Sequence, residues 1–579
     1  MNQNKKSILL RILPFLCFFI IVFSFIMWHE RADIAAKEFH GFDELSNGTV
    51  TSNLTRSIFP PMVRLNPLIK EQTSWPDGPY WQHIPPLYMY VPLPFFYLLD
   101  NGMPSIDAIR MSYITVLLLG CLLFIWGVFY FERNSPSAWA ATLACIYFVS
   151  SKFTTELVVG TAFNNSDILL FFSVISAFTA ILWYLKEEKE IRLKYPLTKI
   201  LLISIIVTLP LVVKNLLGAI PLTTFIFLLL WDGRRIFNKR LWLSMSVALG
   251  VLLCGYVPLY ASSPDTFFRE IVTPLYHLGS YEIYIFPWNY FLTTYLPDEY
   301  LGGGTLFFFI GLITSIFLLW KCTYTRHTRN ILTLSGGWFM WNLIIVSAAK
   351  TKSANFIFQS YLLSLFFVTY SILLLSQLIL RRRTNSEDLE FKPQEYSPST
   401  SSTGYRIIVL ILLLGAIYSP LKTVTGVLEL RNKPAADSLT VRFNYFAEQM
   451  KKDGVSKKDL FLLYSSFRDC DQFKYYLIFH TGAESESIDK LRESNLDGIQ
   501  LKERYNNIYV VLKENTTKTS LLTIPHTSTI KNHFTLITIN NSDIPVNFEK
   551  KLTTFIGKLE YKVKTCKAYR DFDFFGKKL

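Results

Sequence analysis

The stretch "SAAKTKSANF", residues 347–356, lies between two long apolar runs, "GGWFMWNLIIV" (336–346) and "IFQSYLLSLFFVTYSILLL" (357–375). A helix needs about 20 apolar residues to cross a hydrocarbon core of about 30 Å, and both runs belong to segments of this kind. The stretch therefore predicts a short turn between two membrane-spanning helices. Lys350 and Lys352 place two positive charges in that turn.

The same pattern of apolar segments continues through the first 430 residues. The chain of 579 residues is 51% hydrophobic, 16% aromatic and only 18% charged, whereas soluble proteins carry more charge and fewer aromatics. These features predict a mainly α, polytopic membrane protein with about eleven transmembrane helices. The predicted segments lie near 8–28, 106–130, 137–153, 167–185, 199–213, 216–231, 242–260, 304–320, 331–349, 355–380 and 406–420. The first segment lacks a small-residue cleavage site, so we interpret it as a retained helix and not as a signal peptide.

The basic loops between the segments predict the orientation in the membrane. With an odd number of crossings and a cytoplasmic N-terminus, all of them fall on the cytoplasmic side, as the positive-inside rule requires. They are "NQNKK", "FERNSPS", "KEEKEIRLKYPLTK", "WDGRRIFNKR", "KCTYTRHTRN" and "RRRTNSEDLEFKPQ". Membrane orientation therefore explains most of the net charge of +14. No nucleic-acid partner is predicted. The prediction is a multi-pass protein of the inner or plasma membrane.

Lys214, Lys350 and Lys352 fall on the extracytoplasmic side, where the rule disfavours them. A lysine at a helix end can extend its amine to the interface without any further role. Three such lysines on this side favour a different interpretation, because the lysine ammonium is a compact charge suited to a phosphate. The phosphate of a lipid at the outer surface would supply that partner.

Acidic residues lie on the same predicted side. In "HERADIAAKEF" (29–39), Glu30, Asp33 and Lys37 have helical spacing and would share one face. Acids are also favoured at a helix N-terminus for electrostatic reasons alone, while a carboxylate at the membrane surface can act as a general base. Asp167 opens a later apolar segment, and the sequence leaves open whether it is an N-cap or a second active-site carboxylate.

Residues 431–579 form a polar region that predicts a small extracytoplasmic α/β domain, following the transmembrane domain of residues 1–430. Its strand-like stretches are "DLFLLYSS", "NIYVVLKE" and "FTLITIN", and helix-like stretches begin and end it. The seven cysteines include no C-x-x-C pair, so we predict neither a zinc cluster nor a redox motif. Whether Cys470 and Cys566 pair in this domain is left open.

Blocks of the sequence resemble, in order, the lipid-linked-sugar glycosyltransferases of the GT-C fold. This family includes the aminoarabinose transferases acting on lipid A and the protein O-mannosyltransferases. The blocks here are "HERADIAAKEF", "HIPPLYMYVPLPFF", "NNSDILLFFSVISAF", "LVVKNLLGAIPL", "FPWNYF" and "SAAKTKSANFIFQSYLLSL". They are similar to the family's "DEADYA..A", "KPPL.YWL", "..TDALLAFF..LA", "LTKGPLGLLLP", "PWYYY" and "SKTKLPHYILPLYPAL".

The resemblance implies a reaction and its participants. The donor would be a polyprenyl-phosphate-linked sugar, and the acceptor a lipid, a glycan or a protein. Transfer would usually invert the anomeric carbon, often without a metal. No cofactor is therefore expected, although a divalent ion is left open.

The resemblance also implies roles for individual residues. Glu30 matches the position of the first-loop catalytic Asp, with Asp33 beside it, and Asp167 matches the second acid. The implied lipid-phosphate-binding residues are Lys214, Lys350, Lys352, Arg31 and His83. His83 is included because Ile84 stands where the family's "KPPL" block has its lysine, and the neighbouring His83 could replace that lysine. Asp43–Glu44, later in the same loop as Glu30, is a rival acidic pair for the catalytic position.

Two other classes of function stay open at this point. A transporter or flippase for lipid-linked saccharides would show internal repeats and polar residues at mid-membrane, and no convincing repeat is present. A non-catalytic membrane scaffold, with its C-terminal domain binding a partner, is kept open by the departures from the family blocks. The sequence does not indicate which sugar or acceptor is used.

Overall fold

A computed structural model describes most of the helical segments and most of the C-terminal domain. The described residues are 12, 14–24, 26, 42–56, 86–132, 135–151, 154, 165–233, 238–262, 288–290, 311–316, 326–348, 355–384, 404, 407–411, 414, 439–464, 470–488, 491, 497–512, 516, 518–531 and 534–559. The chain divides into two compact units. Unit 1 comprises Met1–Ala35, Arg110–Tyr256 and Leu275–Lys433, and unit 2 comprises Ala36–Ile109, Val257–Pro274 and Pro434–Leu579. The predicted boundary near residue 430 stays a prediction.

Unit 1 is a bundle of apolar helices. Among the described residues, six helices are long and apolar enough to cross a membrane, and three shorter apolar helices accompany them. This confirms the prediction of a multi-pass membrane protein. These nine helices are α1 (Pro14–Ser24), α4 (Ile106–Phe131), α5 (Ser135–Ser150), α6 (Asn165–Lys186), α8 (Leu197–Lys214), α9 (Ala219–Gly233), α10 (Lys239–Ser262), α11 (Arg326–Ala348) and α12 (Asn355–Thr384). A short polar helix, α7 (Lys189–Arg192), lies between α6 and α8 in the chain.

Glycines let two of these helices approach closely. A Cβ atom built on Gly120 of α4 would lie 2.7 Å from Phe171 of α6, and one on Gly127 would lie 2.7 Å from Thr179. Both positions therefore require the smallest residue, as is common where membrane helices pack. Since the contacts advance in the same direction along both helices, α4 and α6 run parallel.

Two buried ion pairs lie near opposite ends of α6. Asp167, in its first turn, pairs with Lys214 at the end of α8. Tyr184, in its last turn, donates a hydrogen bond of 2.7 Å to Asp232 of α9, which also pairs with Arg192. Asp167 and Tyr184 are separated by about 26 Å along the helix axis at 1.5 Å per residue. That distance is close to the hydrocarbon thickness of about 30 Å, so the two pairs lie near the two ends of the bundle.

Unit 2 contains short helices of the first loop and an α/β domain. The first-loop helices are α2 (Phe42–Asn53), a 3-10 turn (Pro86–Tyr90) and α3 (Leu93–Asp100). The C-terminal domain, here residues 439–559, has a five-stranded sheet made of β1 (Asp459–Leu463), β2 (Glu484–Ser487), β3 (Asn507–Leu512), β4 (Thr527–Lys531) and β5 (Phe534–Asn540). The strand order is β2-β1-β3-β5-β4. Strands β2, β1 and β3 are parallel, whereas β5 is antiparallel to both β3 and β4.

The elements of the C-terminal domain confirm its predicted α/β class. Its helices are α13 (Leu439–Lys452), α14 (Cys470–Thr481), α15 (Gly498–Arg504) and α16 (Phe548–Lys558). A cluster of aromatic rings between α13, α14 and β5 packs its core, with Phe443 stacked on Phe473 at 4.2 Å between centroids and Phe534 beside both.

Candidate active site

Asp167 and Lys214, two separate candidates from the sequence, form one buried ion pair. The Lys214 amine donates to Asp167 Oδ1. The Asp167 side chain is 1% exposed and that of Lys214 is 11% exposed. Charged side chains are costly inside an apolar bundle, and they mark a functional site more often than a structural one. The pair therefore identifies this end of unit 1 as the candidate active site.

A break between two helices determines where Lys214 lies. Helix α8 contains Pro210, ends at Lys214 and is followed by a 3-10 turn, Asn215–Gly218, before α9 begins at Ala219. The predicted segments 199–213 and 216–231 are both short and meet at "VVKNLLGA" (212–219), which predicts a break there, and the structure confirms it. A Cβ atom on Gly218 would lie 1.9 Å from the Pro210 carbonyl oxygen, so only glycine allows the turn to pack against α8.

Replacing Gly218 by Ala is expected to destabilise the protein and displace Lys214. Overpacking of a buried position costs about 1–3 kcal/mol or more, and here the obstacle is backbone that cannot rotate away. Gly250→Ala in α10 is the matched control, because a Cβ there would meet nothing within 4 Å. Thermal unfolding of both variants in detergent measures the difference. Equal melting temperatures would contradict the close approach at Gly218.

Helix α12 begins at the level of the first turns of α6. Phe171, one turn after Asp167, lies 5.7 Å from Phe358 of α12, measured between ring centroids. Phe358 is within one turn of Asn355, where α12 begins. Lys352 precedes Asn355 by three residues, a reach of roughly 10 Å. Helix α12 therefore begins near the end of the bundle that holds Asp167, and the candidates Lys350 and Lys352 lie outside the described residues.

A buried polar layer joins α11 to α12. Asn342 Nδ2 donates to Ser360 Oγ at 2.8 Å, and Gln359 Nε2 donates to Asn342 Oδ1 at 3.0 Å. All three side chains are buried. Interhelical hydrogen bonds of this kind hold membrane helices together, so the layer joins the second half of α11 to the first turns of α12.

Helix α1 also ends toward the candidate site. Phe15, in its first turn, contacts Phe129 near the end of α4, with ring centroids 6.2 Å apart. Because α4 runs parallel to α6, that contact lies at the end of the bundle away from Asp167. Helix α1 therefore runs toward the Asp167 end. The candidates Glu30, Arg31, Asp33 and His83 lie outside the described residues.

Arg110 is a buried charge that was not among the candidates from the sequence. It lies in the second turn of α4 and is 1% exposed. Since α4 is parallel to α6 and Gly120 faces Phe171, Arg110 lies about 9 Å beyond Asp167 along the axis, toward the same end. An arginine inside an apolar segment is a signal that the sequence contains, although Arg110 belongs to none of the blocks that resemble the GT-C family.

Other buried charges lie at the opposite end of unit 1. Arg192 binds Asp232 through two hydrogen bonds, Nε to Oδ2 at 2.7 Å and Nη2 to Oδ1 at 2.6 Å. Glu132, at the end of α4, accepts hydrogen bonds from Thr328 and from Tyr370, the latter at 2.5 Å. These groups join loops and helix ends on the predicted cytoplasmic side, and we assign them a structural role. Within the described part of the chain, no three His, Cys, Asp or Glu side chains are grouped to hold a metal ion.

Comparison with solved structures places the chain in one fold. The crystal structure of ArnT from Cupriavidus metallidurans bound to undecaprenyl phosphate matches 93% of this chain and 98% of that chain, with a TM-score of 0.54 and 13% sequence identity. Its apo form matches 91% and 98%, with a TM-score of 0.53 and 12% identity. The archaeal oligosaccharyltransferase AglB from Archaeoglobus fulgidus, in complex with an inhibitory peptide and a dolichol-phosphate, matches 85% of this chain and 69% of that chain, with a TM-score of 0.50 and 11% identity.

These likenesses show the GT-C fold that the sequence blocks predict. No protein-family model matches the sequence. No curated protein matches it either.

Proposed function

We propose that this protein is a membrane glycosyltransferase that moves a sugar from a polyprenyl-phosphate donor to a lipid, glycan or protein acceptor on the extracytoplasmic face. The buried Asp167–Lys214 pair is the observation that carries this proposal. The pair lies where α6 begins and α8 ends. The fold is shared with proteins whose structures contain undecaprenyl phosphate or dolichol-phosphate.

The proposed reaction uses two kinds of group. An acceptor oxygen attacks the anomeric carbon of the sugar, the bond from that carbon to the phosphate oxygen breaks, and the configuration inverts. Glu30 accepts the proton of the acceptor hydroxyl, with Asp33 supporting it. Polyprenyl phosphate leaves with an additional negative charge, which Lys214, Lys350 and Lys352 neutralise. Stabilisation of developing charge by fixed groups is usually the largest single contribution to catalysis.

Asp167 would act on this chemistry through Lys214. A lysine has a long flexible side chain and a compact charge, so its amine needs a fixed partner to stay in one place. Asp167 supplies that partner from the first turn of α6. Arg31 and His83, both in the first loop, are further candidates for binding the phosphate.

Replacement of Lys350 or Lys352 by Ala is expected to raise the KM for the donor about tenfold. A tenfold change corresponds to about 1.4 kcal/mol, which is within the range of one hydrogen bond to a charged group. Lys194→Ala is the control, because this exposed lysine lies at the opposite end of the bundle. Sugar transfer by purified protein in proteoliposomes measures the KM. Wild-type protein that transfers no sugar would contradict the function, whereas an unchanged KM in both variants would contradict only the assignment of these lysines.

A further inference from the structure

A chain of hydrogen bonds through the buried layer between α11 and α12 has one direction. Ser360 Oγ donates to the Ile357 carbonyl oxygen at 3.2 Å, so its lone pairs accept from Asn342 Nδ2 at 2.8 Å. Asn342 Oδ1 in turn accepts from Gln359 Nε2 at 3.0 Å. Because Nε2 is directed at Asn342, the other end of the Gln359 amide, the acceptor Oε1, points elsewhere.

The Oε1 atom of Gln359 is a buried acceptor without a donor. Gln359 is only 2% exposed, and its Oε1 accepts no hydrogen bond from any residue that the structure describes. The large majority of buried polar atoms in proteins have a hydrogen-bond partner, and an atom left without one costs stability. Oε1 is therefore a candidate contact for a bound substrate.

An aromatic contact places this amide close to the candidate active site. Gln359 follows Phe358, whose ring centroid lies 5.7 Å from that of Phe171. Phe171 is four residues after Asp167, which is about 6 Å along α6. The amide therefore lies about one helical turn deeper in the bundle than the buried ion pair, a distance comparable to the width of one sugar ring.

The same layer lies on the side of α11 that contacts α6 and α9. Trp338, one turn before Asn342 and on the same face of α11, donates from Nε1 to Thr224 Oγ1 of α9 at 3.0 Å. Its ring centroid lies 5.7 Å from that of Phe178 in α6. Helix α6 begins beside the Asp167–Lys214 pair, and α9 begins just after it in the chain. Asn342, which holds the amide, therefore faces the helices that build the candidate site.

The chemistry of the proposed donor substrate indicates which of its parts can bind Oε1. An amide oxygen accepts hydrogen bonds and requires a donor. The ionised phosphate offers only acceptor oxygens, and the polyprenyl chain offers no polar group. The hydroxyl groups of the sugar are donors, so the sugar is the part of the substrate that Gln359 can bind.

We propose that Gln359 is a specificity-determining residue, which accepts a hydrogen bond from one hydroxyl group of the transferred sugar. This inference rests on the proposed function, and it names the part of the donor that the site recognises besides the phosphate. Asn342 and Ser360 fix the orientation of the amide. A site that binds a substrate hydroxyl rejects the analogue that lacks it, because a buried group of the protein is then left unpaired.

The test measures how the protein discriminates between donors that differ by one hydroxyl group. Full-length protein in proteoliposomes is given polyprenyl-phosphate-linked glucose, galactose, mannose and arabinose, and then the monodeoxy analogues of the sugar that it transfers. For one analogue, the kcat/KM of the wild type is expected to be about 10- to 100-fold below that for the parent sugar. Gln359→Met keeps the length of the side chain without the amide oxygen. This variant is expected to use that analogue and the parent sugar about equally.

Comparing two donors on one preparation separates recognition from folding, because the ratio of their kcat/KM values does not depend on the folded fraction. Thr369→Val is the matched control. Thr369 is 1% exposed on the same helix and lies about 15 Å deeper than Gln359, so its replacement is expected to keep the wild-type ratio. Gln359→Asn, which shortens the amide by one methylene, gives a second variant if Gln359→Met does not fold. It is expected to lose the same discrimination.

The outcomes separate this inference from the proposed function. Discrimination at one hydroxyl that Gln359→Met loses and Thr369→Val keeps would support the role of Gln359. If Gln359→Met keeps the wild-type ratio for every analogue, whatever its overall rate, that role is overturned and the glycosyltransferase is left intact. Loss of discrimination in Thr369→Val as well would also overturn it, because α12 would then act only through packing. Wild-type protein that transfers no sugar would overturn both proposals.

Discussion

Glu30→Gln is expected to lower the turnover of sugar transfer by about 100- to 10,000-fold, the usual contribution of a general base. The substitution keeps the size of the side chain and removes its ability to accept the proton of the acceptor. The donor KM should change little, because the lysines that would bind the phosphate are untouched. Glu30→Asp keeps a carboxylate, which is also the residue that the resembling family has at this position. This variant is therefore expected to retain most of the activity.

The rival acidic pair Asp43–Glu44 provides the matched control for Glu30. These residues open helix α2, whose later turns pack on the C-terminal domain. Asp43→Asn combined with Glu44→Gln is therefore expected to leave turnover within about threefold of wild type, the range of a charge change away from the site. If the double variant loses activity while Glu30→Gln keeps it, the base belongs to α2 and the assignment of Glu30 is wrong.

Asp167→Asn is expected to lower turnover by about 100- to 1,000-fold, because Lys214 loses the partner that holds its amine in place and, with it, its stabilisation of the developing charge. Removing one partner of a buried ion pair also costs stability, typically about 3–5 kcal/mol. The double variant Asp167→Asn with Lys214→Met distinguishes the loss of turnover from the loss of stability. Loss of both charges should recover much of the stability, since no uncompensated charge stays buried. Turnover should stay low, because the phosphate has lost its lysine.

The Arg192–Asp232 pair is the control for this experiment, because it is equally buried at the other end of the bundle. Asp232→Asn should destabilise the protein to a similar degree and leave the turnover of the folded fraction unchanged. Chemical unfolding and turnover per folded molecule, measured on all variants, provide the comparison. If Asp167→Asn and Asp232→Asn lower the turnover of the folded protein equally, the Asp167–Lys214 pair is structural and does not belong to the proposed site.

The positions of the apolar helices could be predicted from the sequence because membrane thickness sets their length. The segment predicted at 106–130 became Ile106–Phe131, and the one at 167–185 became Asn165–Lys186. The break at "VVKNLLGA" was also predictable, since proline, lysine and glycine interrupt the apolar run within a few residues. In the C-terminal domain, β1, β3 and β5 correspond to the strand-like stretches, whose apolar residues mark a buried sheet.

Contacts between distant residues could not be predicted in this way. Asp167 and Lys214 were both candidates, but their pairing depends on how α6 packs against α8. Arg192 and Asp232 were counted only as loop charges, and Gln359 was not a candidate. Strand β2 has the polar sequence "ESES", and its burial depends on partners elsewhere, such as Lys474, which pairs with Glu486. Polar residues become buried only where the fold supplies such partners.

Removal of the sugar from a polyprenyl-phosphate donor is the step that defines the proposed enzyme. Purified wild-type protein in proteoliposomes would be given a mixture of polyprenyl-phosphate sugars together with an envelope extract as acceptor, and the release of free polyprenyl phosphate would be followed. We expect release of the free lipid phosphate in step with labelling of the acceptor. Sugars that stay on their lipid while the lipid crosses the bilayer would contradict the proposed transfer and favour transport of the intact donor.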